Sequence, residues 1–317
     1  MGAAMQLSDR IGSRIKLQDL HVLMTVVRAG SMGKAALILN TTQPNVSRSI
    51  GDLEHALGVR LLDRYQRGVE PTECGRALLD CGVAVFDDLR QGVKKIEFLA
   101  DPTAGEVRIG STAFLAASFV SALVDRLSRR YPRIVFHLVT GYIDTLHQQL
   151  SERNVDLLII RSFGAVTDER LDFEFLFDDS YVVVAGANNQ WVRRRKIEIG
   201  ELASELWVLP PPESVIGSIV SEAFRAGGLD SPRATVITDS PHMRISLLAT
   251  GRFVTIFPAS AIRFLSAASQ LKILPVELPR ATRPNGIVTV KNRALSPVAQ
   301  LVVECAREIA RPLAKRQ

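Results

Sequence analysis

The chain has 317 residues, enough for two or three domains of ordinary size. Hydrophobic residues make up 47% and charged residues 23%, which excludes a disordered chain, and no run reaches the roughly 18 apolar residues of a membrane-spanning helix. The 39 Lys and Arg against 33 Asp and Glu leave a net charge of +6, which favours an acidic partner such as nucleic acid without requiring one.

In chain order, residues 1–13 lack the apolar core of an export signal and read as a disordered extension. Leu20, Leu23, Met24 and Val27 then fall at i, i+3, i+4 and i+7, the stripe of an amphipathic helix that Gly30 ends. A second short helix follows Ser31, with Ala35, Ala36 and Leu39 available to pack inward. Beyond Asn40 and Thr41, Thr42 can cap a third helix with Pro44 in its first turn, where a missing N–H costs little. At about 100° per residue, Ile50, Leu53 and Leu57 lie within roughly 40° of Val46 and form a buried face, while Pro44, Arg48, Gly51 and His55 lie roughly 140–200° away. That outer face is narrow, small and partly basic. A major groove, about 12 Å wide, admits one such helix.

Gly58 closes the third helix, and Val59 to Pro71 reads as two short extended pieces around Gln66-Arg67-Gly68, the shape of a wing carrying Arg64 and Arg67. From Thr72 to Ala100 the chain is helical again. Leu79, Gly82, Phe86, Leu89, Val93, Ile96 and Ala100 are spaced alternately by three and four, a heptad seam expected to pair two chains, with Gly82 its weak point. The alternative is a helix packed on its own domain. Asp101-Pro102-Thr103-Ala104-Gly105 forms a hinge.

Beyond the hinge, short apolar runs alternate with helical patterns: strands at 106–110, 135–140 and 156–160, and helices at 114–130 and 143–151. That alternation predicts a parallel sheet with helices on both faces. After a strand at 181–185 the expected helices are 199–206, 215–227 and 241–250, and the expected strands 235–238, 253–257, 272–274 and 287–290. The length suits two α/β lobes with a cleft between them. The expected division is a winged helix-turn-helix at 14–72, a linker helix at 73–100, a hinge at 101–105 and a two-lobed domain at 106–317. The first lobe takes about 106–178 and 280–317, and the second about 179–279.

The N-terminal third resembles the LysR-type transcriptional regulators. The residues that carry the resemblance are Gly30-Ser31-Met32-Gly33-Lys34-Ala35-Ala36, Thr42-Gln43-Pro44-Asn45-Val46-Ser47-Arg48-Ser49-Ile50, the run from Leu53-Glu54 through Leu57-Gly58-Val59 to Leu61-Leu62-Asp63-Arg64, and Pro71-Thr72-Glu73-Cys74-Gly75. They occur together and in order. The resemblance implies that the remainder, from about Gly105, is an effector-binding domain of the periplasmic-binding-protein type. It further implies a homodimer, and a homotetramer of two such dimers bending the DNA.

Phosphate contacts supply most DNA affinity and base-edge contacts supply sequence choice. Gln43 can pair both donor and acceptor of adenine, and the fork of Arg48 matches O6 and N7 of guanine. Pro44 can meet a thymine methyl and Ser47 can offer a hydroxyl, with Asn45 beside them in the same turn. Ser31, Thr42, Arg64 and Arg67 stand as phosphate anchors, although Ser31 and Thr42 can equally cap helices and Arg64 can instead pair with Asp63 or Glu70. His55, late in the helix, reads as solvated. The paired linker residues are Leu79, Phe86, Leu89, Val93 and Ile96. A dimer of this kind reads an inverted-repeat operator with half-sites about one helical turn apart, or a multiple of it.

Ligands of such α/β lobes sit at the carboxyl ends of the strands. Ser111 and Thr112, Thr140, Arg161 and Ser162, and Asp239 are therefore the candidates for a small-molecule effector, each also open to a capping or structural role. Arg161 would favour an anion unless it pairs with Asp168 or Glu169. The rivals are an enzyme or a solute-binding protein on the same two-lobed fold. No GxSxG, HExxH, GxxxxGK[ST] or helix-opening GxGxxG occurs, and the five histidines have no ligand spacing, so no catalysis, metal or cofactor is expected. Cys74, Cys81 and Cys305 form no framework, which fits a reducing cytoplasm.

Overall fold

The computed structural model describes residues 15–65, 68–162, 168–265, 270–278 and 282–314, without the side chains of Val215 and Ile216. The expected extension at 1–13 and Arg67 lie outside the described residues. The chain divides into two compact units, residues 1–90 and 91–317.

In the first unit, α1 (Leu17–Ala29), α2 (Met32–Ile38) and α3 (Gln43–Leu57) follow one another through tight corners. Gly30 turns the chain out of α1 at φ 71°, a conformation that costs glycine little. Ser31 Oγ accepts from the Lys34 N–H and Thr42 Oγ1 from the Asn45 N–H, so both helix starts are capped by their own hydroxyls. Val46, Ile50 and Leu53 of α3 are buried against Leu23, Val26, Ala35 and Ala36. Each large aliphatic side chain buried there contributes about 1.5–3 kcal/mol.

Two strands, β1 (Leu62–Tyr65) and β2 (Gly68–Pro71), pair antiparallel as the wing, with Leu62 opposite Pro71 and Arg64 opposite Val69. Glu54 fixes where the wing starts, since its Oε1 accepts from the N–H groups of Leu61 (2.7 Å) and Leu62 (3.3 Å). Next comes α4 (Glu73–Ala100), whose start is held by Thr72, which donates to the Arg60 carbonyl and accepts from the Gly75 N–H. Leu79 packs on the core of this unit, Gly82 lies under Leu20 and Met24, and the Phe86 ring is 5.7 Å from His21. Leu79 and Phe86, expected in a seam between two chains, are thus partly occupied within one. Leu89, Val93 and Ile96, further along, are exposed.

The second unit holds two five-stranded sheets. The first, in order β4-β3-β5-β12-β6, consists of β3 (Ala104–Ser111), β4 (Arg133–Thr140), β5 (Leu157–Arg161), β6 (Leu171–Asp179) and β12 (Arg283–Val290). The second, in order β11-β7-β10-β8-β9, consists of β7 (Tyr181–Gly186), β8 (Leu206–Leu209), β9 (Ala234–Ile237), β10 (Phe253–Pro258) and β11 (Leu271–Ile273). The chain crosses between sheets at Ser180 and again between β11 and β12. Both sheets are mixed, which corrects the all-parallel expectation: β3 runs parallel to β4 and β5, but β12 is antiparallel to β5 and β6, and β7 to β10 and β11. Strands that return from the other lobe enter from the opposite end and reverse direction.

The helix expected at 114–130 is α5 (Ala113–Leu115), a π turn (Ala116–Val120) and α6 (Ser121–Arg130). Leu115, Phe119, Leu123 and Leu127 are all buried at spacings of four, a step that overshoots an α-helical turn by about 40°. The wider π turn absorbs part of that drift. The helix expected at 199–206 is a single 3-10 turn (Ile199–Leu202), and Leu206 already belongs to β8. The other helices of this unit are α7 (Ile143–Ser151), α8 (Val215–Ala226), α9 (Pro241–Ala249), α10 (Ala259–Phe264) and α11 (Pro297–Ala314). Through Val298, Val302 and Ala306, α11 returns to the core of the first lobe beside Ile109, Phe119 and Phe177.

Candidate functional site

The outer surface of α3 is the first candidate. Gln43, Pro44, Asn45 and Arg48 are exposed and Ser47 is half-buried, directly behind a stripe that the core holds in place. Asn45 is partly engaged, because its Nδ2 donates to Thr41 Oγ1 at 3.2 Å. Ser31 and Thr42 use one lone pair each as caps, and their hydroxyl protons stay available to an oxygen acceptor outside the chain. Arg64 is exposed on β1, and among the described residues it pairs with neither Asp63 nor Glu70. Its immediate neighbour Asp63 points to the opposite face of the strand.

The second candidate is the cleft between the two lobes. The parallel strands β3, β4 and β5 end together: Ser111 lies opposite Thr140 on one side and Ile159 on the other. Two effector candidates are corrected here. Ser111 is fully buried with its hydroxyl donated to the Ile159 carbonyl at 2.7 Å, so it has no free hydrogen to offer a ligand. Arg161 is buried and paired with Asp179 at 2.8 Å, and it also donates to the Tyr181 hydroxyl at 2.9 Å. Asp168, one of its two alternative partners from the sequence, pairs with Arg170 instead. Asp179 further accepts from the Ser260 N–H and hydroxyl, which ties the start of α10 to the lobe crossing. Burial raises the Tyr181 phenol, an effect that Arg161 partly offsets, so it stays protonated at neutral pH.

The remaining candidates stay nearer the surface. Thr112 is half-buried at the start of α5 and makes no cap bond there. Thr140 is exposed at the end of β4, and Ser162 is half-buried where its N–H donates to the Pro284 carbonyl. Asp239, just before α9, accepts from the Tyr142 hydroxyl of the other lobe. That bond, and then the carboxylate's charge, hold the Tyr142 phenol above its usual value, so it donates at neutral pH. Sequence reasoning misses Tyr142 and also Arg244, which is buried in α9 against β10. Arg244 leaves a signal: it precedes Leu248 by four residues and so shares that helix's inward face. Among the described residues, no group of three His, Cys, Asp or Glu side chains could hold a metal ion, and no helix is long and apolar enough to cross a membrane.

Comparison with known proteins agrees with this two-part arrangement. Residues 17–76 match the family described as "Bacterial regulatory helix-turn-helix protein, lysR family", and residues 100–311 match the "LysR substrate binding domain". The regulator GbpR of Azospirillum brasilense is 26% identical over 296 residues, covering 93% of this chain and 86% of that protein. The regulator TdcA of Escherichia coli strain K12 is 26% identical over 293 residues, covering 92% of this chain and 93% of that one. Among solved structures, a full-length OxyR from Pseudomonas aeruginosa superposes with a TM-score of 0.66 at 20% identity, covering 96% of this chain and 99% of that one. At that identity the likeness concerns the fold.

Proposed function

Because the chain belongs to the LysR family of DNA-binding transcription regulators, with an effector-binding domain behind its helix-turn-helix, we propose that α3 reads an inverted-repeat operator and that a small molecule held between the two lobes adjusts the response. Gln43 and Arg48 contact base edges, Pro44 and Ser47 fill the groove beside them, and Asn45 orders the first turn. Ser31, Thr42, Arg64 and Arg67 hold phosphates. The observation that carries this reading is α3 itself: capped at Thr42, locked through Val46, Ile50 and Leu53, and showing solvent a narrow face with an Arg fork and a Gln amide.

The chain works as a homodimer through the exposed apolar face of α4, with Leu89, Val93 and Ile96 at its centre and Leu79 and Phe86 at its near end, and two dimers pair as a tetramer. Residues 14–72, 73–100 and 106–317 act as reader, linker and sensor, with 101–105 the hinge. In the sensor, Thr112, Thr140, Ser162 and Asp239 line the effector cleft. The protein carries out no catalysis and acts in the cytoplasm, where its DNA is.

Selection from a pool of random duplexes at two salt concentrations, with sequencing of the bound fraction, tests this. The expected product is one inverted repeat whose half-sites are centred about 10 base pairs apart or a multiple of that. Binding equal for all duplexes and lost on modest salt addition would reduce α3 to an electrostatic surface.

A further inference from the structure

Lys94, near the end of α4, pairs with carboxylates that lie beyond residues 101–105 in the chain. Its Nζ is 3.6 Å from Asp156 Oδ2 and 3.6 Å from Glu106 Oε1. Asp156 stands just before β5 and Glu106 near the start of β3, so both carboxylates belong to the first lobe. Arg161, at the far end of β5, is five residues further on, about 17 Å of extended chain. The contact therefore lies at the edge of the sheet away from Ser111, Thr140 and the cleft.

The members of this cluster are not equally committed to it. The Asp156 side chain is 6% exposed, and a carboxylate so far out of water needs charged or hydrogen-bonding partners. It has them without Lys94: Arg293 Nη2 lies 3.3 Å from Oδ1, and the Arg108 N–H donates to Oδ2 at 2.8 Å. Arg293 is buried and anchored in turn, donating to the carbonyls of Val155 and Asp156. Glu106 is more exposed and is shared with Arg108 at 3.5 Å and His137 at 3.4 Å. Lys94 lies at the margin of water, with 16% of its side chain exposed. Withdrawing it strands no buried charge on the lobe, and its own ammonium returns to solvent. Withdrawing Arg293 would instead remove the buried counter-charge of Asp156. Lys94 is thus the releasable member of an otherwise fixed group.

Two other contacts tie this stretch to the first lobe, and both are more permissive. Phe98 rests partly buried on the lobe's core, an apolar contact without a preferred direction. Asp101 pairs with Arg133 of β4, but both side chains are exposed, where an ion pair contributes little. Resting on the reading of residues 101–105 as a hinge, we propose that Lys94 is a strap across it. Latched between Asp156 and Glu106, it fixes the end of α4 to the first lobe and keeps the hinge from bending. Released, it leaves the apolar contact of Phe98 and the exposed Asp101–Arg133 pair, and the hinge bends. The linker helix exchanges between a latched and a free state, and whatever binds one of the two better shifts the balance.

Amide hydrogen exchange of the full chain, read peptide by peptide, tests this on wild type, on Lys94→Met, which keeps the apolar stem without the charge, and on Lys94→Arg, which restores the charge. In wild type, amides 95–104 are expected to exchange faster than those of β5. Lys94→Met should speed them about fivefold further with β5 unchanged, and Lys94→Arg should return them to within about twofold of wild type. An acceleration shared by β5 would make Lys94 a general stabiliser and overturn the strap. Equal rates in wild type and Lys94→Met also overturn it. If that common rate is fast, the hinge stands without a strap, and if it matches β5, the reading of 101–105 as a hinge fails as well.

Discussion

Gly75 has no room for a side chain: a Cβ there would lie 2.0 Å from the carbonyl oxygen of Leu61, a backbone atom that cannot move aside. Gly75→Ala is expected to cost about 3 kcal/mol by forcing the start of α4 away from the wing. Glu54→Ala acts on the same corner from the other side. It strips the acceptor from two buried N–H groups and is expected to cost about 1–3 kcal/mol. Both appear as faster amide exchange across residues 17–71, and unchanged protection there would contradict the roles assigned to them. Between α4 and β3, the Thr103 hydroxyl, then its N–H, and then Arg133 hold the Asp101 carboxyl below its ordinary value of 3.8. A carboxylate with a depressed folded pKa contributes stability that is present above the unfolded value and lost as pH falls through the folded one. The melting difference between wild type and Asp101→Asn should therefore be steady above about pH 5 and close as the pH falls below about 3. A gap that persists at low pH would show that charge is not its cause.

At the scale of elements, what could be read from sequence was what is decided locally. The cap at Thr42, Pro44 in the first turn and the Val46-Ile50-Leu53 stripe lie within a dozen residues of one another, and the helix forms where they predict it. Elements decided by distant partners were harder to read. Leu206-Trp207-Val208-Leu209 is too short for its period to separate strand from helix, and it becomes β8 by pairing with β9 and β10. The strand β6 and the helix α11 have no counterpart among the sequence expectations, although Leu171, Phe173 and Phe175 alternate with Asp172 and Glu174 before Leu176 and Phe177 break the period. The helix α4 shows both behaviours, since its near half packs on its own unit while Leu89, Val93 and Ile96 keep an apolar face outward. Val93→Asp with Ile96→Asp, residues 53% and 68% exposed, should leave the monomer folded and abolish the dimer in sedimentation. An unchanged mass would move the dimer contact elsewhere.

For the whole molecule, the division of labour was legible and the chemistry of the second site was not. The outer surface of α3 needs only helix geometry, so the residues on it follow from spacing alone. The cleft depends on which charges find each other after folding. Arg161 meets Asp179 across the lobe crossing, Ser111 meets the Ile159 carbonyl, and Arg244 meets Thr255 and the Ile256 carbonyl with no carboxylate among the described residues, outcomes that no local pattern announces. The operator obtained by selection allows the most direct test of the account, namely the binding free energies of wild type, Arg48→Ala and Arg64→Ala on that operator, on single-base variants of it, and across salt. The account predicts that Arg48→Ala loses about 1–3 kcal/mol and flattens discrimination at one position per half-site. Arg64→Ala should weaken all duplexes alike and lower the salt slope by about 1 for each contact removed. An Arg48→Ala protein that binds every duplex more weakly by the same factor, with its preferences intact, would contradict the assignment of α3 as the element that reads sequence.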